Sequence, residues 1–529
     1  MGYESNENEG EQEELMGIGA KAANVASFLT AGIVFDTLSY GIAFIVVARL
    51  LGPANLGIYA IAISVAGILT ASSTFGVGLY FGNRIPALLR HHKKQEISKM
   101  FGDGFLAVFL IVAFMAAAGL LLSNTIANYI FHSSNYLYVY AFYITFLNLV
   151  FWKIYGTASY ALVSLGDGKA AAISRITYSL GQATVSVTLV LLGYGVLGAL
   201  FGLMFGSAAG ALTGILLVRY HSKISFRLKG MKKRIKNMFT YSLPIAVSDV
   251  LGGVTPNLAI VLLGIFATAS VVGNYNIAFK VTSIVSTMAA TASLAILPAF
   301  STVLSIRKNK DEFSNFHSYG LYTGLLFVTP AIVFLAVFSQ AIILTVFPDY
   351  TNAYIFMSIM SIGILLQIFG TYAGFFMMSI RKVGKILMYS AATGAIGVVA
   401  LFVLIPPFGA LGAIAALYFI SNIALDLFYF RELHNFGIRT KWAKIIRVFA
   451  ANAALAALMA TILLLNVSST LKLIIGVATL MILYPPIAVI AHAVERSDIV
   501  QIRALARKIP AVGALIGYIL AYAQVFMRD

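Results

Sequence analysis

The stretch "LGIYAIA" at residues 56–62 returns in similar form as "VGNYNIA" at residues 272–278. Both copies carry the pattern Gly-x-Tyr-x-Ile-Ala, and the second lies 216 positions after the first (272 − 56 = 216). Three further pairs recur in the same order at offsets of 214 to 216: "YGT" at 155–157 with "FGT" at 369–371, "GK" at 168–169 with "GK" at 384–385, and "YGVLGA" at 194–199 with "FGALGA" at 408–413. Four matches in one order indicate an internal duplication of the chain.

The composition indicates whether the duplicated halves lie in water or in a membrane. Of the 529 residues, 60% are hydrophobic and only 10% are charged, so most of the chain is expected to lie in a lipid bilayer. Apolar runs of about 20 residues are long enough to cross a hydrocarbon core about 30 Å thick. Fourteen such runs predict fourteen membrane-spanning helices, at residues 22–50, 57–80, 104–124, 136–160, 171–192, 196–218, 239–266, 271–298, 317–342, 353–378, 386–405, 409–430, 447–465 and 473–493.

The charged residues predict the orientation of these spans. The chain has 36 Lys and Arg against 19 Asp and Glu, a formal net charge of +17. Thirty-two of the 36 basic residues lie in, or within about one helical turn of, the N-terminal tail, the even-numbered connections and the C-terminal tail, as in "RHHKKQEISK" from Arg90 and "KGMKKRIK" from Lys229. This bias is the positive-inside pattern, and it predicts that both termini are cytoplasmic. The excess charge therefore favours topology and contact with lipid headgroups over nucleic-acid binding.

The duplication divides the membrane region into two halves of six spans. We predict an N-lobe at 22–218, a basic cytoplasmic linker at 219–238, a C-lobe at 239–430 and two extra helices at 447–493, flanked by an acidic disordered tail at 1–21 and an amphipathic cytoplasmic segment at 494–529. An even number of spans makes the halves parallel repeats, an arrangement common among secondary transporters. Two points stay open: whether residues 511–526 cross the membrane, and whether Asn466 in the sequon "NVS" carries a glycan.

Four stretches of the chain resemble a known family. They are "ARLLGPANLGIYAIA" at 48–62, "YSLPIAVSDVLGG" at 241–253, "GNYNIAFKVTSIV" at 273–285 and "PPFGALGAIAA" at 406–416. They are similar to the polysaccharide-export branch of the multidrug, oligosaccharidyl-lipid and polysaccharide exporter superfamily. The resemblance implies an all-α polytopic fold in which two six-helix lobes surround a central cavity, with two further C-terminal helices. It also implies movement of lipid-linked oligosaccharides from the inner to the outer leaflet.

Acidic residues inside apolar spans are costly, which makes Asp36 in span one and Asp249 in span seven functional candidates. Shifted by the repeat offset of 216, Asp36 maps to Gly252, one helical turn from Asp249. Spans one and seven line the cavity of the resembled fold. One interpretation assigns both carboxylates to a coupling ion, H⁺ or Na⁺, whose binding drives the lobes. The other makes them structural groups hydrogen-bonded between helices, and the sequence leaves both open.

Basic and aromatic residues inside spans are candidates for substrate binding. Lys280 lies deep in span eight on one helical face with Asn276, where we predict that they hold the phosphate or diphosphate of a polyprenyl-linked sugar. Lys153, near the inner end of span four, and its repeat equivalent Gln367 are candidates for the same path. Snorkelling to the headgroups is the alternative for Lys153. Tyr40 is a candidate for stacking on sugar rings, with simple packing as its alternative.

These candidates lead to several classes of function. The first is a flippase that moves a polyprenyl-linked oligosaccharide by ion-coupled alternating access without its own ATPase, because no P-loop pattern is present. A cation-coupled multidrug exporter of the same fold is the alternative. An intramembrane enzyme is disfavoured because the outer loops are short and hold no His except His132, and a passive scaffold is the remaining class.

We expect a monomer in the cell membrane that is not an enzyme and has no cofactor, no metal and no nucleic-acid partner. The absence of cysteine excludes disulfides and thiolate sites.

Overall fold

The structure is a computed structural model. It describes the backbone of residues 2–495 except 72–75, 133–134, 223, 225–230, 307–309 and 381, together with residues 498, 522 and 524–525. The side chains at 2–23, 70–71, 79, 239, 241–253, 290–306 and 310 also lie outside the described residues. Every regular element within the described part is helical.

Fifteen α-helices follow one another along the described chain, in keeping with the apolar runs of the sequence. They are α1 Gly2–Ala71, α2 Val77–Arg90, α3 Lys94–Thr125, α4 Tyr136–Ser164, α5 Gly168–Leu189, α6 Gly195–His221, α7 Met231–Phe266, α8 Ala269–Ile306, α9 Lys310–Val337, α10 Ser339–Val346, α11 Ala353–Ser379, α12 Val383–Ile414, α13 Ser421–Asn435, α14 Trp442–Leu463 and α15 Ser469–Ile490. Residues 126–130, 190–194 and 415–420 form π-helical turns beside α3, α5 and α13.

Within the described part of the chain, nine helical segments are long and apolar enough to cross a membrane. Three of them, Asn24–Leu69, Gly168–His221 and Val383–Asn435, have 46, 54 and 53 residues, so each holds two predicted spans. The nine segments therefore account for twelve of the fourteen predicted spans. The seventh and eighth fall in α7 and α8, where many side chains lie outside the described residues. The predicted all-α polytopic membrane fold is confirmed.

Glycines in the left-handed region break the three double-length segments. Gly52 has φ 71° and ψ 173° and is followed by Pro53, which suits the first turn of the helix that carries span two. Gly195 has φ 55° and ψ −132°, and Gly409, its repeat equivalent, has φ 53° and ψ −128°. A side chain with Cβ is disfavoured in this region, whereas glycine adopts it freely. The two copies of the "GxLGA" phrase thus form the same backbone break.

Three local features differ from the sequence prediction. The segment 1–21 was predicted to be disordered, but α1 begins at Gly2, so residues 2–21 are helical; their Glu and Gln are good helix formers. The predicted span 57–80 is divided, because Gly76 has φ 69° and starts a separate helix, α2. The predicted span 317–342 is also divided, between α9 and the short α10.

The helices form two compact units, Met1–Val272 and Gly273–Asp529. In the first unit α5 packs on α6, α6 on α4, and α7 on α1. α7 is grouped with the first unit for this reason, whereas the sequence repeat assigns it to the C-lobe. The repeat-based domain boundaries stay a prediction.

A ladder of glycines holds α6 close to its neighbours in the first unit. Gly198, Gly202, Gly206, Gly210 and Gly214 follow at every fourth residue and lie on one face of α6. A Cβ on Gly206 would lie 2.6 Å from Cβ of Gln182 on α5, which leaves no room for a larger residue. This close approach places α5 and α4 side by side, and the candidate site of the first unit is built on those two helices.

The two extra helices of the second unit are tied to α9 by polar contacts. The Asn452 amide on α14 donates to Thr329 Oγ1 at 2.8 Å, and the Tyr484 hydroxyl on α15 donates to the Leu326 carbonyl at 2.8 Å. Buried hydrogen bonds between membrane helices typically contribute about 0.6 kcal/mol each. Together with apolar packing, these hydrogen bonds hold α14 and α15 against the rest of the second unit.

Candidate functional site

An ion pair lies between α1 and α5 in the first unit. Nε of Arg175 is 3.8 Å from Oδ2 of Asp36, and the two side chains are 34% and 26% exposed. Arg175 also interacts with the hydroxyl of Tyr155 on α4. A charged group in an apolar helix is stabilised by a partner of opposite sign, and here each group of the pair provides it.

Three aromatic rings pack beside this ion pair. The rings of Tyr155 and Tyr178 stack with centroids 4.9 Å apart and 16° between their planes. Trp152 lies 5.5 Å from Tyr155 and 5.3 Å from Tyr178, and it is 40% exposed. Tyr178 also lies close enough to Tyr40 and Tyr59 of α1 to interact with their hydroxyls. We call Asp36, Tyr40, Tyr59, Trp152, Tyr155, Arg175 and Tyr178 the α1–α4–α5 cluster.

The glycine ladder of α6 makes the aromatic stack possible. A Cβ on Gly210 would lie 2.8 Å from Tyr178 Cβ and 2.9 Å from Tyr155 Cδ2. A larger residue at this position would push both rings away from α6. The local sequence of α6 therefore sets the position of side chains that belong to α4 and α5.

One face of α5 is polar although the helix is expected to cross the membrane. Arg175, Tyr178 and Gln182 follow at spacings of three and four, so they share this face. Gln182 is 6% exposed, and its Oε1 has no hydrogen-bond partner within the described structure. On α4, Oδ1 of Asn148 is likewise buried without a partner, one turn before Trp152. Buried polar atoms are nearly always satisfied in native proteins, so each of these two oxygens calls for a hydrogen-bond donor, such as water, that the described residues do not supply.

Two residues predicted from the sequence, Asp36 and Tyr40, belong to this cluster. Arg175 was not predicted, because a cation one turn from the predicted start of span five is expected to reach the headgroups. The signal was present in the helical spacing of Arg175, Tyr178 and Gln182, which is polar on one side of an otherwise apolar helix. The functional role of Asp36 stays a prediction.

The candidate residues of the second unit lie on α8 and α11. Asn276 is 5% exposed and Lys280, one turn further along α8, is partly buried. The Ser283 hydroxyl donates to the Lys280 carbonyl at 2.8 Å. The Ser286 hydroxyl donates to Gln367 Oε1 of α11 at 3.1 Å, so Gln367 faces α8 about two turns beyond Lys280. The structure thus brings three predicted residues onto neighbouring helices of the second unit.

Two further predicted residues are less defined. Lys153 is partly buried on α4, next to Trp152 in sequence, and its carbonyl accepts a 2.8 Å hydrogen bond from the Thr157 hydroxyl. Asp249 lies in α7, but its side chain lies outside the described residues. In the part of the chain that the structure describes, no three His, Asp or Glu side chains gather in a group that would hold a metal ion.

A family comparison covers the first unit and the beginning of the second. The family model described as "Polysaccharide biosynthesis protein" matches residues 22–304, which is more than half of the chain. The chain belongs to this family. The predicted place in the superfamily of multidrug, oligosaccharidyl-lipid and polysaccharide exporters is thereby confirmed.

One curated relative is similar to about half of the chain. The chain is 24% identical over 283 residues to a protein of Haloferax volcanii described as "Probable low-salt glycan biosynthesis flippase Agl15". The match covers 52% of the chain and 59% of the relative, so it leaves more than a third of the relative's length outside the alignment.

Two solved structures share the fold. One is "Lipid II flippase MurJ, inward closed conformation", with a TM-score of 0.68, 16% identity, and coverage of 87% of this chain and 98% of that one. The other is an inward-facing multidrug resistance MATE family transporter, with a TM-score of 0.62, 16% identity, and coverage of 76% and 94%. At this identity the likeness shows the fold alone. This chain is therefore a multi-pass membrane protein with the fold of these two transporters.

Proposed function

We propose that the protein is a flippase that moves a polyprenyl-linked oligosaccharide from the inner to the outer leaflet by alternating access. The observation that carries the proposal is Lys280, a partly buried cation about three turns into the apolar helix α8. A cation in a low-dielectric site attracts the phosphate or diphosphate of such a lipid strongly. Asn276, Gln367, Lys153 and Tyr40 are the further substrate contacts in this account, through hydrogen bonds, charge and ring stacking.

The charge of the described interior favours an anionic substrate over a cationic drug. Lys153, Arg175 and Lys280 are three cations within apolar helices, against two described acids there: Asp36, which is paired with Arg175, and Asp426, which is buried in α13. A cavity for a cationic drug needs an excess of acid. The second candidate is nevertheless a cation-coupled multidrug exporter, because a multidrug transporter has the same fold.

Ion coupling belongs to the same proposal. Asp36 and Asp249 are the carboxylates that take up H⁺ or Na⁺, one in each repeat. A carboxylate inside an apolar helix is much cheaper to enclose once a cation neutralises it, so ion binding shifts the equilibrium between open and closed forms. The relation of Asp36 to Arg175 supports this role, since the carboxylate already lies in a place that a positive group stabilises.

The proposal also covers the oligomeric state, the membrane and the orientation of the protein. The protein acts as a monomer in the plasma membrane with both termini in the cytoplasm, as the distribution of Lys and Arg predicts. It performs transport and no covalent chemistry. The headgroup passes through the protein while the lipid tail remains in the bilayer.

Reconstitution tests the role of Lys280. Liposomes carry the protein and a fluorescent polyprenyl-diphosphate oligosaccharide in one leaflet, and a membrane-impermeant quencher reports its arrival in the other. The expected result is that Lys280→Ala abolishes crossing while Lys280→Arg retains part of it. Lys169→Ala, at an exposed lysine of α5, is the matched control and should cross at the wild-type rate. Wild-type crossing by Lys280→Ala would remove the basis of the proposed anion site.

A further inference from the structure

We propose that Arg175 is a second anion-binding residue. It releases the carboxylate of Asp36 and binds an anionic group of the transported saccharide lipid, while Trp152 stacks on the sugar of that lipid. The anionic group is a phosphate oxygen of the carrier or a carboxylate of an acidic sugar. This inference rests on the proposed function for its substrate class. It assigns the α1–α4–α5 cluster a part in substrate binding besides ion coupling.

The geometry of the ion pair is the first support. Nε of Arg175 and Oδ2 of Asp36 are 3.8 Å apart, which is longer than a hydrogen bond. By contrast, Arg234 donates two hydrogen bonds to Asp103 elsewhere in the same unit. A guanidinium has five donors in a rigid fork that fits phosphate or carboxylate in a bidentate manner. The loose pair therefore leaves the fork available for a better-fitting anion.

The aromatic group beside the pair is the second support. Trp152 is 40% exposed, although Tyr155 and Tyr178 pack against its ring at about 5 Å. Its partners hold the indole in place, so stacking on a sugar costs little conformational entropy. An arginine with an adjacent exposed indole fits a ligand that carries both an anionic group and a sugar ring.

The unsatisfied oxygens are the third support. Gln182 lies two turns beyond Arg175 on α5, and Asn148 lies one turn before Trp152 on α4. Gln182 Oε1 and Asn148 Oδ1 are both buried without a hydrogen-bond partner in the described structure, and Gln182 itself is 6% exposed. A saccharide hydroxyl is a donor that matches such an acceptor. Burial of these amides becomes favourable once the sugar supplies the missing bonds.

The exchange couples the substrate to an ion. When an anion takes Arg175, the carboxylate of Asp36 loses its counter-ion inside the membrane and takes up a cation instead. Anion binding and cation binding then assist each other, and by linkage each raises the affinity for the other equally. Among the described residues, the other titratable groups that interact with the pair are the hydroxyls of Tyr155 and Tyr178. None of these supplies the positive charge that Asp36 needs.

Tryptophan fluorescence offers a direct test, because the chain has only two tryptophans. Trp442→Phe leaves Trp152 as the sole reporter, and Trp152→Phe is the matched control that should lose the response. The purified Trp442→Phe protein is titrated with farnesyl diphosphate, with an acidic galacturonate oligosaccharide, and with uncharged farnesol. If only farnesyl diphosphate changes the emission, the anionic group is the phosphate of the carrier. If only the galacturonate oligosaccharide changes it, the anionic group is the carboxylate of the sugar.

Variants of the pair decide the proposal. We expect Arg175→Gln to weaken binding of the active probe about 10- to 100-fold, as expected for the loss of a charged hydrogen bond, and Arg175→Lys to lie between. Asp36→Asn removes the competing carboxylate and should tighten binding several-fold. Arg219→Gln, at an exposed arginine of α6, should change nothing.

Three results would overturn the inference. They are no emission change with either anionic probe, unchanged binding by Arg175→Gln, or weaker binding by a folded, monodisperse Asp36→Asn. The proposed function fails separately, through the liposome assay with Lys280→Ala. If the lipid-linked sugar crosses equally well with wild type and with Arg175→Gln, the proposed flippase function stands. Only the role of Arg175 in binding the substrate would then be wrong.

Discussion

Arg234, near the start of α7, forms a bidentate ion pair with Asp103, near the start of α3, with Nη2 of the arginine 3.0 Å from Oδ1 of the carboxylate. Asp103 is buried, whereas the side chain of Arg234 is 35% exposed. The hydrogen bonds with Asp103 raise the pKa of the Arg234 guanidinium, so the arginine stays charged. The pair joins the N-terminal parts of two helices of the first unit.

This asymmetric burial predicts unequal effects of the two single substitutions. Arg234→Gln leaves a buried carboxylate unpaired, whereas Asp103→Asn leaves an arginine that turns to water. We expect Arg234→Gln to lower the free energy of unfolding by about 1–3 kcal/mol and Asp103→Asn by less. Thermal unfolding in detergent measures both. Equal stability of wild type and Arg234→Gln, or a larger loss for Asp103→Asn, would contradict this account of the pair.

The repeated glycines predict a second effect on stability. Gly195 and Gly409 have nearly the same left-handed backbone, so alanine at either site introduces strain of about 1–2 kcal/mol. Each of Gly195→Ala and Gly409→Ala should therefore lower the unfolding temperature by a similar amount. Gly156 of α4 is the control, because its φ is helical and a Cβ there would meet nothing within 4 Å. A stable Gly409→Ala protein would show that the backbone break is not required.

The glycine ladder predicts an effect on the aromatic stack. Gly210→Ala places a Cβ within 3 Å of Tyr178 and Tyr155, which overpacks the site and costs about 1–3 kcal/mol. In the Trp442→Phe background, the emission of Trp152 should shift, because its two tyrosine neighbours move. Gly156→Ala should leave this emission unchanged. An unshifted spectrum in Gly210→Ala would mean that α6 does not position the rings.

The absence of cysteine makes the predicted orientation easy to test. Single cysteines are placed at Asn466, in the exposed loop between α14 and α15, and at Lys441, an exposed residue just before α14. With intact cells and a membrane-impermeant maleimide, we expect labelling of Asn466→Cys but not of Lys441→Cys, and labelling of both after lysis. The reverse pattern in intact cells would invert the proposed topology.

Much of the fold could be predicted from the sequence because it depends on hydrophobic length. The apolar runs correspond to the membrane-crossing segments of the structure, and the repeat of "YGVLGA" and "FGALGA" corresponds to the matching breaks at Gly195 and Gly409. α2 could not be separated from span two by hydropathy, since its boundary depends on the backbone conformation of Gly76. Such a conformation is a local choice that composition does not reveal.

The candidate site was less predictable because it depends on contacts between distant helices. Asp36 was found as a lone acid in an apolar run, yet its partner Arg175 lies 139 positions later (175 − 36 = 139) and resembles an ordinary cytoplasmic-end cation. The stack of Tyr155 on Tyr178 requires close packing with α6, whose glycines at every fourth residue gave the only sequence signal for it. Helix spacing identifies faces, but tertiary packing decides which faces meet.

The measurement that tests the central claim most directly compares two substrates on the wild-type protein. Liposomes with reconstituted protein receive a fluorescent polyprenyl-diphosphate oligosaccharide or the cationic dye ethidium, under the same gradient of H⁺ or Na⁺. The account predicts that the lipid-linked sugar reaches the opposite leaflet far faster than in protein-free liposomes, while ethidium does not cross. Ion-driven transport of ethidium with no movement of the lipid-linked sugar would contradict the flippase and favour the multidrug exporter.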